Sequence, residues 1–385
     1  MIKINLEATS QYRDLDDFSE AYYVEVQKLI VDKAFDFLGI FNFQHLTPKT
    51  DISNIDGNRI KKIVSILSNN KYQPQPITLS KSNQKGIKDF LSKNIYPSFN
   101  SANDKKQFEN LLMFFTNQKN IKGIGLKEII TNKPLELEKH SKKLNKHFEG
   151  LLKSSVYIAL IEYLLDYQTI HTNREIRDLF FQNINVKICP YCNRNYVSYI
   201  EYNNSKVIGP TLDHFLSQKK HPFLLASFYN LIPSCYVCNS NLKSQKETTN
   251  KKNLNPYIDG FSNAARFKLL PIPNGYSVFL DIDHTHSNSK RISSKQKISG
   301  NAILFKLNEI YGVGHRDEIE FIVNTCDRLN SAFESNIQHI IGKDFTANDF
   351  YEFYFQNYYD ESNFNKKSLS KLTRDLIDER LKWIF

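Results

Sequence analysis

Apolar residues recur at spacings of three and four over residues 18–38, 107–116 and 147–167, which predicts three amphipathic helices in the first half of the chain. Asp16 and Asp17 ahead of the first, and Asn173 ahead of a fourth helical stretch over 174–181, are the residue types that open helices. Stretches rich in Asn, Ser, Lys and Pro, at 49–58 and 69–84, read as connectors. Near Ile188 the texture changes. Residues 195–201 are rich in Tyr, Val and Ile, Asn203-Asn204 is a turn signal, and 206–208 leads through Gly209-Pro210 to Leu212-Asp213-His214, which predicts a small hairpin. A second strand is expected over 276–282, and helices return over 302–311, 317–333 and 368–383. The expected fold class is α+β, mainly helical, in three stretches: a helical region over 1–180, a compact core over 181–260 and a mainly helical extension over 261–385.

Composition adds little until its distribution is considered. Fifty-one basic against forty-one acidic side chains give a formal charge of +10, which favours a polyanionic partner. Residues 187–252 hold nine basic side chains and three acidic ones, so +6 of that excess falls in one short segment. No apolar run approaches the roughly 18–20 residues of a membrane helix, and Met1 to Glu7 has no apolar core resembling a signal peptide. A cytoplasmic protein with no membrane partner is therefore expected, and in that compartment thiols stay reduced. Four of the five cysteines lie within 50 residues, as Cys189-Pro190-Tyr191-Cys192 and Cys235-Tyr236-Val237-Cys238. Two such pairs can present four thiolates to one ion, the tetrahedral shell that Zn²⁺ prefers. A closed shell of this kind leaves no open position for chemistry, so the expected zinc is structural. Cys326, alone in a helical stretch, is expected to be a small buried residue.

Between and beside these pairs stand Asp213-His214, Asn230 and Asn239, with Lys243 four residues further on. The order Cys-x-x-Cys, Asp-His, Asn, Cys-x-x-Cys-Asn resembles the zinc-containing HNH (His-Me finger) endonucleases over residues 186–246, about one-sixth of the chain. The resemblance implies a ββα-metal core, treble-clef-like and held by zinc. It casts His214 as the general base that deprotonates water, with Asn230 orienting its ring. Asp213 and Asn239 become hard oxygen ligands for a catalytic Mg²⁺ or Mn²⁺ ion. The implied substrate is nucleic acid, DNA in the first instance. Members of the family often carry Pro in Asp-His-x-x-Pro, where this chain has Phe215-Leu216-Ser217-Gln218, so the shape of that loop is open. Lys219, Lys220, Lys243 and Lys246 flank the motif and are the candidate phosphate contacts. His315-Arg316-Asp317, after Tyr311-Gly312, is loosely similar to the tails of HNH proteins from Septu and retron antiphage modules. That likeness suggests a defence effector working with an ATPase partner protein, since the chain has no nucleotide-binding loop of its own.

Each of these residues also has an ordinary explanation. His214 could be a satisfied structural histidine, Asn230 a turn cap, His221 a surface-loop residue and Lys243 part of an exposed helix face. The string from Asp281 to His286 resembles metal ligands but fits a solvated turn better. Two rivals to a DNA nuclease stay open: a zinc-ribbon protein that binds nucleic acid without cutting it, and an RNA-cleaving toxin.

Overall fold

A computed structural model describes residues 1–6, 10–42, 47–48, 102–153, 155–203, 205–282, 289–329 and 346–381. The expected connectors at 49–58 and 69–84, and the part of the Asp281–His286 string beyond Ile282, lie outside the described residues. The chain forms two compact units. One comprises Tyr12–Phe180 and Leu216–Asn230, the other Met1–Gln11, Phe181–Phe215 and Leu231–Phe385. The three consecutive stretches expected from the sequence are thereby redrawn. The first residues pair with residues near 185, residues 216–230 pack among the early helices, and the C-terminal extension shares a unit with the cysteine segment.

Among its described residues the first unit is mainly helical, with one short antiparallel pair, Phe41–Asn42 against Thr47–Pro48. Its described helices are α1 (Leu15–Ile40), α2 (Ala102–Phe115), α3 (Leu126–Thr131), α4 (Pro134–His147), α5 (Glu149–Leu152), α6 (Ser155–Leu164), α7 (Tyr167–Thr172) and α8 (Arg174–Asn183), the last running into the other unit. Asp14, rather than Asp16 or Asp17, opens α1: its Oδ1 accepts from both of their backbone N–H groups at 2.9 Å. Asn173 does open α8, accepting from Ile176 N at 3.1 Å. The single helix expected over 147–167 is broken at Phe148 and again after Leu152. Residues 216–230 bring two aromatic anchors into this unit. Phe223 stacks on Phe115 and Phe148, and Phe228 meets Phe18, Tyr22 and Phe180. All these rings are buried.

The second unit is built from two-stranded antiparallel pairs. Strand β1 (Asn5–Leu6) pairs with β2 (Ile184–Asn185), and β3 (Ile200–Tyr202) with β4 (Ser205–Ile208). Asn203 takes the left-handed φ of 49° in the turn between the latter two. Strand β5 (Thr211–His214) pairs with β6 (Leu231–Ser234), setting His214 opposite Leu231 and Asp213 opposite Ile232. Strand β7 (Ala265–Ile272) pairs with β8 (Gly275–Ile282) along their full length. Among the described residues the unit also holds helices α9 (Ser289–Leu304), α10 (Leu307–Gly314), α11 (Arg316–Arg328), α12 (Ala347–Phe355) and α13 (Ser370–Arg380). Helix α10 packs on β8 and α13 on β7. The helix expected over 302–311 is two helices, because Lys306 adopts φ 47° between α9 and α10. Cys326 is buried in α11, and burial pushes its thiol up to about 12. No helix among the described residues is long and apolar enough to cross a membrane.

Candidate metal centre and the Asp213 cluster

Both cysteine pairs form tight backbone hooks. In the first, Cys189 N donates to Asn195 O at 2.9 Å and Asn193 N to Cys189 O at 2.8 Å, with Asn193 at φ 50° closing the turn. In the second, Cys238 N donates to Cys235 Sγ at 3.4 Å and Asn239 N to Cys235 O at 3.0 Å. The four sulfurs lie within 4.8 Å of one another and all four residues are buried. A tetrahedral zinc–thiolate shell sets its sulfurs about 3.8 Å apart, from Zn–S bonds of about 2.3 Å, so the cluster can hold such an ion with small adjustment. None of the five cysteines is in a disulfide. Burial pushes the Cys189 thiol well above its ordinary value, and a divalent cation among the sulfurs is what would favour the thiolate instead.

Around this centre the fold fixes Asp213. The strand β5 ends in Asp213-His214, and its partner β6 runs into the second hook. From the hook the chain enters a short π-helix, Val237–Lys243, that packs against β5. Asp213 is 3% exposed, and both its carboxylate oxygens are engaged. Tyr191, inside the first hook, donates its hydroxyl to Oδ2 at 2.7 Å. Burial, with the Asp213 charge beside it, pushes that phenol well above its usual range, so it stays a donor. Lys243, at the end of the π-helix, brings its ammonium to 2.8 Å from Oδ1 and donates to His214 O at 2.7 Å. The first hook and the π-helix that leaves the second thus each contribute one group to the same carboxylate.

These contacts correct two expectations. Lys243 is 3% exposed and paired with Asp213, so it is withdrawn as a phosphate contact. Asp213 does not fit the role of Mg²⁺ ligand. An ion about 2 Å from Oδ1 would sit roughly 4 Å from the ammonium, a repulsion of about 8 kcal/mol at an effective dielectric of 20.

No protein-family model, curated protein or solved structure matches the chain. The chemistry open to the site therefore rests on its own residues.

His214 is 7% exposed at the end of β5. Asn239 is half-buried on the π-helix, where its backbone oxygen accepts from Ser244 N at 2.7 Å. Among the described residues its carboxamide has no hydrogen-bond partner. Asn230 is buried, and its amide is committed to the loop that follows β5. Its Oδ1 accepts from Leu216 N at 2.7 Å, while Nδ2 donates to Leu216 O at 3.2 Å and to Leu224 O at 3.1 Å. Instead of the ring-orienting role expected of it, these bonds give it a loop-shaping one. His221 is not a surface residue: it is 5% exposed and its Nδ1 lies 2.8 Å from Ser141 Oγ. Lys219, Lys220 and Lys246 are exposed, the first two in the helical unit and the third in the other.

Sequence reasoning missed Tyr191 as a functional neighbour. The available signal was its position between the two cysteines of one pair, where an aromatic side chain must either cover the cluster or meet what stands behind it. Here it does the second. Its ring stacks on Phe305 at 4.3 Å between centroids while its hydroxyl reaches Asp213.

Proposed function

We propose that the chain hydrolyses phosphodiester bonds in nucleic acid, DNA in the first instance, with His214 as general base and a structural zinc ion on the four cysteines. The observation that carries the reading is the order strand, strand, helix around the cysteine cluster. Asp213-His214 closes the first strand, and Asn239 stands on the helix that the second hook opens. This is the arrangement that the resemblance to HNH endonucleases implies. A neutral imidazole at that strand end can take a proton from water near neutral pH. The Asn239 carboxamide, with no protein partner among the described residues, is available to hold a phosphate oxygen or a cation. Zinc in a four-thiolate shell supplies no chemistry, only the clamp between the strand pair and the helix. Because Asp213 does not fit a divalent ion, activation of the water falls to His214.

The engagement of Asp213 favours one alternative, a zinc-bound module that binds nucleic acid without cutting it. One experiment separates the two. Purified protein is incubated with duplex DNA, single-stranded DNA and RNA, each with and without Mg²⁺ or Mn²⁺, beside His214→Ala. A hydrolase cuts at least one substrate, and the variant loses about 10²–10⁴-fold in rate while keeping its zinc and its affinity. A binding module shifts the substrates and cuts none. Cutting by the variant at the wild-type rate would remove His214 as the base.

A further inference from the structure

We propose that the resident cation of Asp213 is the ammonium of Lys243, and that it keeps divalent ions off this carboxylate. The ion pair stands on its own geometry; its consequence for catalysis rests on the hydrolase reading above. Both side chains are almost wholly buried, at 4% and 3% exposure, with Nζ to Oδ1 at 2.8 Å. Nζ also holds His214 O at 2.7 Å, so the same ammonium ties down the backbone of the candidate base. The second carboxylate oxygen is taken by Tyr191 at 2.7 Å. Asp213 therefore has one full positive charge and one hydroxyl donor already in place, and its negative charge is balanced before any ion arrives.

The backbone is shaped to make this pairing. Val237–Lys243 is wound as a π-helix, and the bond from Ser244 N to Asn239 O spans five residues. A π-turn takes up about one residue more than an α-turn. Had the segment been α-helical, the direction facing Asp213 would fall to a neighbour of Lys243, and the ammonium would not reach. Ser244 then leaves at φ 47°, stopping the helix directly after the lysine. Lys243 is accordingly a positioning residue. It holds the end of β5 and occupies one oxygen of Asp213, and it acts on substrate only through them. A hydrolase built this way draws its water-activating group from His214 and needs no metal held by Asp213. Any divalent ion that helps cleavage would be held elsewhere, by Asn239 or by the substrate's own phosphates.

The test is a Mn²⁺ titration of the zinc-loaded full-length chain, followed by the electron paramagnetic resonance signal of free Mn²⁺. Wild type and Asp213→Asn should bind Mn²⁺ equally weakly. Lys243→Gln should bind it at least tenfold more tightly, and the double variant Lys243→Gln/Asp213→Asn should lose that gain. The proposal is overturned if wild type binds Mn²⁺ stoichiometrically and Asp213→Asn abolishes it, or if a folded Lys243→Gln shows no gain. Should Lys243→Gln fail to fold, as judged by zinc content and circular dichroism, the comparison of wild type with Asp213→Asn still decides. If no variant cleaves any substrate, the hydrolase reading falls while the titration continues to report on Asp213.

Discussion

Removing the Asp213 carboxylate strands two groups at once, the ammonium of Lys243 and the hydroxyl of Tyr191, in a place that water does not reach. Breaking one side of a buried ion pair costs about 3–5 kcal/mol, so Asp213→Ala is expected to unfold at markedly lower urea than wild type. Added Mg²⁺ should not restore it; full rescue by Mg²⁺ would show that the carboxylate holds a metal after all. The sequence made the four-cysteine cluster legible because the short Cys-x-x-Cys spacings carry that information. It could not identify the Asp213–Lys243 pair. Thirty residues separate the two, and a lysine with polar neighbours such as Ser244 and Gln245 resembles the exposed lysines that make up most of its kind. Burial of such a charge depends on the wide π-turn, which has no sequence signature of its own.

The cysteine hooks are the elements on which most depends, since they carry Tyr191 and lead into the helix of Lys243. Cys192→Ser or Cys238→Ser should lose bound metal and destabilise this unit, because metal affinity in such sites is also folding energy. Elemental analysis of wild type should find about one zinc per chain, and finding none in reduced, chelator-free protein would remove the metal centre. A second strut holds the first hook from the other side. Lys371 and Asp375, both buried on α13, pair at 2.6 Å; Asp375 also accepts from Phe267 N on β7, and Lys371 N donates to Asn193 Oδ1. Lys371→Met removes the ammonium that faces the buried Asp375 and leaves that carboxyl only the Phe267 N–H and the more distant Arg374, so it should cost up to about 3–5 kcal/mol by chemical denaturation, and a surface-like effect below about 1 kcal/mol would show that the pair is dispensable. Helix positions were largely legible from apolar spacing, but their breaks were not. Leu151 before the interruption near Lys153 and Tyr157, Leu160, Ile161 and Leu164 after it are all buried, and no proline marks the stop.

At the scale of the whole molecule, the basic surface is what would meet a polyanion. Lys219, Lys220 and Lys246 are exposed, and if each neutralises a phosphate, replacing all three with Ala should flatten the salt dependence of binding by roughly 0.9 for every phosphate left unneutralised. Affinity should fall for every sequence alike, and an unchanged slope would mean that these lysines serve solubility alone. The division into units was the least legible feature, because it depends on pairing between residues nearly two hundred positions apart. That pairing also sets a timetable. Asn5 and Leu6 find their partners only at Asn185 and Ile184, Ile2 N finds Pro190 O, and Met1 O waits for Phe261 N. At about 5–20 residues per second, a ribosome takes on the order of ten to forty seconds to make the first of those partners. Through that interval the segment carrying Ile2 and Ile4, both buried in the finished protein, and the strand Asn5–Leu6 that follows them have no partner to cover them. Synonymous codons that slow elongation over residues 7–185 should therefore lower the soluble yield of an unchanged protein, and codons that speed it should raise the yield.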